Sequence, residues 1–211
     1  MSLQGRWTIW DPAYLYLQQE RERAILSLLD RHGFNPLAST KVLEIGCGSG
    51  SVLADFVRFG VSPSNAVGID IDEGRVEAAR LRHPELEFRA ADAAKIPFAD
   101  TTFDLLLAFT VFTSIPDDAY RERVAHEVLR VLRPGGAILL YDFWVNPINL
   151  KTRPLGIADI RRLFDREPEE ARRVTLAPPL ARLLAKRLRI ACEVLSKVPL
   201  LRTHWLALVR A

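Results

Sequence analysis

A doubly wound α/β fold is what the order of apolar runs in this chain predicts. Short apolar segments alternate with amphipathic ones over most of the 211 residues, the pattern of βαβ units that build a parallel sheet with right-handed crossovers. The first apolar segment breaks abruptly into glycines, and acidic residues recur where the later ones end. With 49% hydrophobic and 26% charged residues, the chain has the composition of one soluble globular domain with a substantial core. No stretch approaches the roughly 20 apolar residues of a spanning helix. Cys47 and Cys192 lie far apart, and Met1 to Trp10 lacks a secretory pattern, so a reduced, cytoplasmic setting is expected.

The elements follow in order. Trp7 to Tyr16 is rich in aromatics, and Asp11-Pro12 suits a cap followed by proline in the first turn of a helix from about Pro12 to Arg31, stopped by His32-Gly33. These first 35 or so residues read as a helical cover, whose aromatics are either a core edge or one wall of a substrate pocket. Lys41 to Gly50, K-V-L-E-I-G-C-G-S-G, is a buried strand running into a glycine turn, and Ser51 to Phe59 is the helix after it. Ala66 to Ile71 is a second strand containing Asp70, and Asp72 to His83 its helix. Glu87 to Ala91 is a third strand leading to Asp92, and Thr102 to Thr110 a fourth. Ala119 to Leu132 reads as a helix stopped by Pro134-Gly135-Gly136, and Ala137 to Phe143 as a fifth strand.

After residue 150 the chain changes character. Residues 151 to 211 carry 14 Lys/Arg against 6 Asp/Glu, whereas the first 150 carry 15 against 20. A short helix over Ile157 to Phe164 and a sixth strand over Arg173 to Ala177 precede Leu180 to Val198. That stretch reads as one amphipathic helix, with Leu180, Leu184, Leu188, Ala191, Leu195 and Val198 inward and Arg182, Lys186, Arg189 and Lys197 outward. Its basic face is either solvated or a peripheral contact with anionic lipid. His204 to Arg210 is a last strand. Nothing marks a linker or repeat, so residues 1 to 211 form one domain with a core over 40 to 145 and a substrate-side segment over 146 to 211.

The strand ends share one rim, where ligands bind in such sheets. Glycines after the first strand let a ligand approach the backbone closely. Asp70 can accept both hydroxyls of a ribose, and Asp92 can accept the exocyclic amine of an adenine, with Ile71 and Ile96 against its faces. The spacing departs from G-x-G-x-x-G, and Glu44 directly before the glycines is awkward beside a pyrophosphate but suits an amino or sulfonium cation.

Four motifs in order, V-L-E-I-G-C-G-S-G, A-V-G-I-D-I-D, A-A-D-A-A-K-I-P-F-A-D-T-T-F-D-L-L-L-A-F and E-V-L-R-V-L-R-P-G-G-A-I-L-L-Y-D, resemble the class I S-adenosylmethionine-dependent methyltransferases, in particular the bacterial small-molecule type. The resemblance covers about residues 40 to 145. It implies a Rossmann-like seven-stranded sheet, mostly parallel with an antiparallel last strand, here His204 to Arg210, and helices on both faces. It implies S-adenosylmethionine as cofactor and S-adenosylhomocysteine as product. Gly46, Cys47, Gly48 and Gly50 would line the methionine part, with Glu44 near its amino group. Asp70 would hold the ribose, Ile71 the adenine face, Asp92 and Ala93 the adenine edge, and Phe109 with Thr110 the methionine side.

Methyl transfer is an in-line displacement in which the cofactor carries the activated carbon, so alignment matters most and a general base is optional. Asp142 and Tyr141 are the candidate bases, with His126 and Tyr14 behind them. Tyr14, Asn146 and Asn149 could meet a polar small-molecule acceptor. The four histidines form no metal spacing, so no metal is expected, and nothing marks a nucleic-acid partner. Two other readings stay open, a nicotinamide-dependent oxidoreductase and a non-catalytic cofactor-binding module. No Tyr-x-x-x-Lys pair supports the first of these.

Overall fold

The computed structural model describes residues 8–146 and 152–211. Trp7 and Asn149, singled out above, lie outside the described residues. Helix α1 (Pro12–Arg31) opens as the sequence predicts, with the Asp11 carboxylate accepting from the Ala13 and Tyr14 N–H groups at 2.8 and 3.3 Å. Strand β1 (Val42–Ile45) leads through the glycine turn to α2 (Ser51–Arg58). Strand β2 (Ala66–Asp70), α3 (Glu73–Arg82), β3 (Glu87–Ala90) and β4 (Phe103–Phe109) follow, then α4 (Asp118–Val131) and β5 (Leu132–Phe143). The remaining elements are α5 (Ile157–Phe164), β6 (Glu170–Leu176), α6 (Pro178–Leu184), α7 (Arg189–Leu195) and β7 (Arg202–Arg210).

The seven strands form one sheet in the order β3-β2-β1-β4-β5-β7-β6. Strands β1 to β5 pair in parallel, and β7 runs antiparallel between β5 and β6. Alternate residues of each central strand point to opposite faces. Leu105, Leu107 and Phe109 of β4 join α1, α2 and α3 in one core, and Leu106 and Ala108 join α4 and α5 in the other. A third, smaller cluster sets Ala13, Tyr16 and Leu17 of α1 against Ala181, Ala185 and Cys192 of the α6–α7 layer. Among the described residues no helix is long and apolar enough to cross a membrane.

Two expected elements differ. Pro134-Gly135-Gly136 does not stop α4. The chain passes from Val131 directly into β5, and these residues lie inside that strand at a shift of register against Phe103 and Leu105. The helix ends because Thr101 and Thr102 N–H groups take the Arg130 and Val131 carbonyls at 2.9 and 2.8 Å, which redirects the backbone into the sheet without a loop. The single helix over Leu180 to Val198 is in fact two, α6 and α7, separated at Ala185 to Leu188. The break keeps Ala181, Ala185 and Cys192 all buried on α1, at the cost of leaving Leu188 58% and Val198 41% exposed. Leu81 of α3 faces solvent, 86% exposed, while Val76 and Ala79 are buried.

One buried cation ties the second core to the loop beyond β4. Arg121 of α4 is fully buried, and its guanidinium donates to the carbonyls of Ile115 at 2.7 Å and Arg153 at 3.3 Å. Burial and the nearby Arg153 push its pKa down. Removing it leaves two carbonyls without their charged donor. Arg121→Ala is therefore expected to lower unfolding free energy by about 2–4 kcal/mol in urea melts, and a loss below about 0.5 kcal/mol would show that the two carbonyls are satisfied by water instead.

Candidate active site

The turn between β1 and α2 is closed by backbone geometry that side chains would block. Gly46 has φ +63°, and a Cβ there would stand 2.9 Å from Val111 Cγ2; Gly50 has φ +79°, and a Cβ would stand 2.5 Å from the Phe88 ring. Left-handed backbone and close neighbours together require glycine at both. The turn is also held by acceptors from two strands. Gly48 N–H donates to Asp70 Oδ2 at 2.8 Å, Leu53 N–H to Glu44 Oε2 at 3.0 Å, and Cys47 N–H to the Ile69 carbonyl at 3.0 Å. Glu44 is 2% exposed, and burial drives its pKa well above the usual carboxylate range. It sits behind the turn, against the first turn of α2. Burial likewise raises the Cys47 thiol far above its ordinary value, so it stays protonated, as expected for a residue contributing backbone rather than a nucleophile.

Beside the turn lies a cleft of about 300 Å³ at the carboxyl ends of the parallel strands. Gly46, Asp70, Ile71, Ala93, Phe109 and Thr110, all sequence candidates, line it. Cys47, Gly48 and Gly50 complete the turn behind. Asp70 is 5% exposed, and its Oδ1 accepts from Asp72 N–H at 2.9 Å, which fixes the carboxylate at the rim. Ile71 is 71% exposed, open to a flat ligand, whereas Ile96 is 3% exposed and belongs to the core. Asp92 accepts from Ala94 N–H at 2.7 Å and from the Tyr120 hydroxyl.

Tyr120 of α4 is a wall residue that the sequence pattern does not single out. Burial and the Asp92 carboxylate push its pKa up to about 12. Val111, Ser114 and Ile115, in and beside the 3-10 turn Phe112–Ser114, complete the wall with Ala91 and Arg75. Their one sequence signal is position directly after a strand end, which names no residue type. Thr110 holds φ +57°, a left-handed conformation in a non-glycine residue at the cleft.

The candidate bases are placed differently from the expectation. Asp142 is fully buried and accepts from Thr113 N–H at 3.2 Å, from the Thr113 hydroxyl and from Phe143 N–H at 2.9 Å. It anchors the turn after β4 and presents no free oxygen to the cleft. Tyr141 is 6% exposed, its hydroxyl pairs with Thr175 Oγ1 at 2.7 Å, and burial pushes its pKa up to about 12. Neither is a base open to a substrate. His126 stands exposed on α4, outside the cleft wall. Asn146 follows β5 and does not line the cleft either.

A second groove adjoins the first, lined by Tyr14, Gln18 and Arg21 of α1 and by Ser51 and Asp55 of α2. The two meet at a stack of rings. Phe109 stacks on Tyr141 at 5.4 Å, Tyr141 on His204 at 4.4 Å, and the Arg21 guanidinium lies 5.9 and 5.8 Å above Phe109 and Tyr141. His204 is held neutral, its pKa pushed down to about 3 by burial and by Arg21. Arg21 donates from one terminal nitrogen to Asp55 Oδ2 at 3.3 Å, while its Nε is buried without a hydrogen-bond partner among the described residues.

Two outcomes follow for the wall. Asp142 has its pKa raised from 3.8 to about 6 by burial, so its protonation favours the fold. That contribution is complete below pH 3.8 and lost as pH rises through about 6. The stability difference between Asp142→Asn and the parent should shift toward the variant by roughly 2–3 kcal/mol between acid and neutral pH in urea melts; a constant difference would contradict a buried, titrating carboxyl. Gly46→Ala should cost about 1–3 kcal/mol of stability and push Val111 into the cleft, and an unchanged melting temperature would contradict the close approach.

Residues 43–140 match the methyltransferase domain family. The chain is 36% identical over 152 residues to the 27-O-demethylrifamycin SV methyltransferase of Amycolatopsis mediterranei, covering 67% of this chain and 52% of that one. It is 33% identical over 157 residues to the phthiotriol/phenolphthiotriol dimycocerosates methyltransferase of Mycobacterium tuberculosis, covering 72% and 57%. The chain thus spans just over half the length of these relatives. Among solved structures, the [4+2]-cyclase SpnF superposes with a TM-score of 0.66 at 18% identity over 92% of this chain and 82% of its own, a likeness of fold. With the domain match, the relatives and a seven-stranded sheet whose β7 is antiparallel, the chain belongs to the class I S-adenosylmethionine-dependent methyltransferases.

Proposed function

We propose that this protein transfers a methyl group from S-adenosylmethionine to an oxygen, nitrogen or carbon of a bulky small molecule. The observation that carries the reading is the single cleft joining the glycine turn to Asp70 and to the Asp92–Tyr120 pair. Its features fit the cofactor. The turn at Gly46 offers backbone where a Cβ would collide with Val111, a space suited to the methionine chain. Asp70, fixed by two N–H donors, keeps lone pairs for the ribose hydroxyls. Asp92 and Ala93 address the adenine edge, and Ile71 its face. Arg21, with an unpaired Nε beside Phe109, supplies a cation for a carboxylate, either that of the cofactor or an acidic group on the acceptor.

When bound, the cofactor supplies a methyl group on a positively charged sulfur, already activated toward attack. The protein's part is alignment. Asp142 and Tyr141 are both occupied in hydrogen bonds within the fold, so the residues support orientation and exclusion of water rather than a dedicated proton acceptor. Phe109 lines the cleft with Tyr141 and the neutral His204 stacked behind it, and Tyr14 faces the adjoining groove. The apolar side chains of the wall, Ile71, Phe109, Val111 and Ile115, suit a large, mainly apolar acceptor. Relatives named for a rifamycin and for phthiotriol dimycocerosates support the same class.

A second reading keeps the cofactor and drops the transfer, and the cyclase of like fold is the observation favouring it. Calorimetry with S-adenosylmethionine, S-adenosylhomocysteine and NAD, followed by transfer of labelled methyl groups to a metabolite extract, separates the cases. Binding with transfer supports the proposal; binding without any labelled product supports the second reading; binding of NAD alone overturns both. Asp70→Ala should weaken cofactor binding by at least about tenfold, the scale of one or two lost hydrogen bonds, and a folded variant of undiminished affinity would remove Asp70 from the site.

A further inference from the structure

The α6–α7 layer carries an exposed face that no part of the proposed chemistry uses. Leu183, Leu188, Ile190, Val194 and Leu200 are 75%, 58%, 77%, 58% and 74% exposed, far more large apolar side chains in water than a segment of this length needs. They alternate with exposed cations, Arg182, Lys186, Arg187, Arg189 and Lys197, and Glu193 is the one acid between Pro178 and Leu201. Residues 186–190, Lys-Arg-Leu-Arg-Ile, are exposed without interruption.

The break between the two helices makes this face. A continuous amphipathic helix would have turned Leu188 inward with Leu184 and Ala191; instead Leu188 and Ile190 project beside Lys186, Arg187 and Arg189. Arg189 also reaches Gln19 of α1 at 3.1 Å and Glu193 at 3.8 Å.

We propose that this face docks on an anionic lipid bilayer. Charge complementarity selects the partner: five cations against one acid call for a negatively charged surface. The apolar residues select a bilayer among negative surfaces, because leucines and isoleucines standing singly between cations gain nothing from a solvated polyanion but enter the acyl boundary while the cations stay at the headgroups. The layer packs on Ala13, Tyr16 and Leu17 of α1, the helix that lines the groove beside the cleft through Tyr14, Gln18 and Arg21. Docking therefore brings the lipid surface next to the helix over the proposed acceptor side. The docking itself stands independently of the methyl-transfer reading.

Co-sedimentation of the whole chain with vesicles tests it. Phosphatidylcholine vesicles containing 30% phosphatidylglycerol (roughly the charge density of a strongly anionic membrane) should pellet the protein at low salt, and pure phosphatidylcholine should not. Lys186→Gln with Arg187→Gln should weaken partitioning roughly 25-fold, at about fivefold per cation. Leu183→Ser with Ile190→Ser should weaken it at least about tenfold, with circular dichroism and melting temperature unchanged because all four residues are exposed. Protein remaining in the supernatant overturns the proposal. So does pelleting that survives the serine pair, which would reveal simple attraction to polyanions, or a stable dimer in sedimentation velocity that these serines dissolve, which would assign the face to a second copy.

Discussion

Two carboxylates hold the glycine turn, and the rest of the site depends on that support. A turn with left-handed glycines at alternate positions, 46, 48 and 50, turns N–H groups away from the sheet ladder, and those that are buried must find other acceptors. Glu44 from β1 takes the Leu53 N–H at the start of α2, and Asp70 from β2 takes the Gly48 N–H. The first carboxylate is buried behind the turn and the second stands at its rim. One strand therefore fixes where the helix begins, and its neighbour fixes how far the turn reaches into the cleft. Both depend on the parallel register that sets Glu44 opposite Gly68 and Ile45 opposite Ile69, with Gly68 leaving room for the Phe88 ring and Cys47.

The opposite wall depends on a different pair of charges. Asp142 and Arg121, both fully buried, grip the chain after β4 from two sides: the carboxylate takes Thr113, and the guanidinium takes Ile115. Such burial costs desolvation, visible in the raised pKa of one and the lowered pKa of the other. The hydrogen bonds offset it and keep Val111, Ser114 and Ile115 in place as the cleft's far side.

Most of this architecture was legible because it follows period and punctuation. Apolar runs ending in Gly46 or Asp70 gave the strand ends, and Asp11-Pro12 gave the first cap. What sequence pattern misjudged shares one physical cause, which is that tertiary partners overrode local signals. Pro134-Gly135-Gly136 looks like a stop, but Thr101 and Thr102 had already taken the carbonyls that end α4. Leucines from 180 to 198 look like one stripe, but the break between α6 and α7 sets Ala181, Ala185 and Cys192 against Ala13, Tyr16 and Leu17 of α1, with Leu180, Leu184 and Leu195 packed beside them. Tyr120 and Asp142 could not be given their roles from sequence, because each is defined by a partner 28 or 29 residues away.

The position of β7 has a consequence for assembly. It lies between β5 and β6, antiparallel to both, so β6 has no neighbour in the sheet until residues made after it have arrived. Up to that point β5 is an open edge whose far side already supports half of the core. The parallel half, with the cofactor turn, can therefore form before the chain is long enough to finish the sheet. The half that carries the α6–α7 layer is completed only when β7 pairs with both β5 and β6.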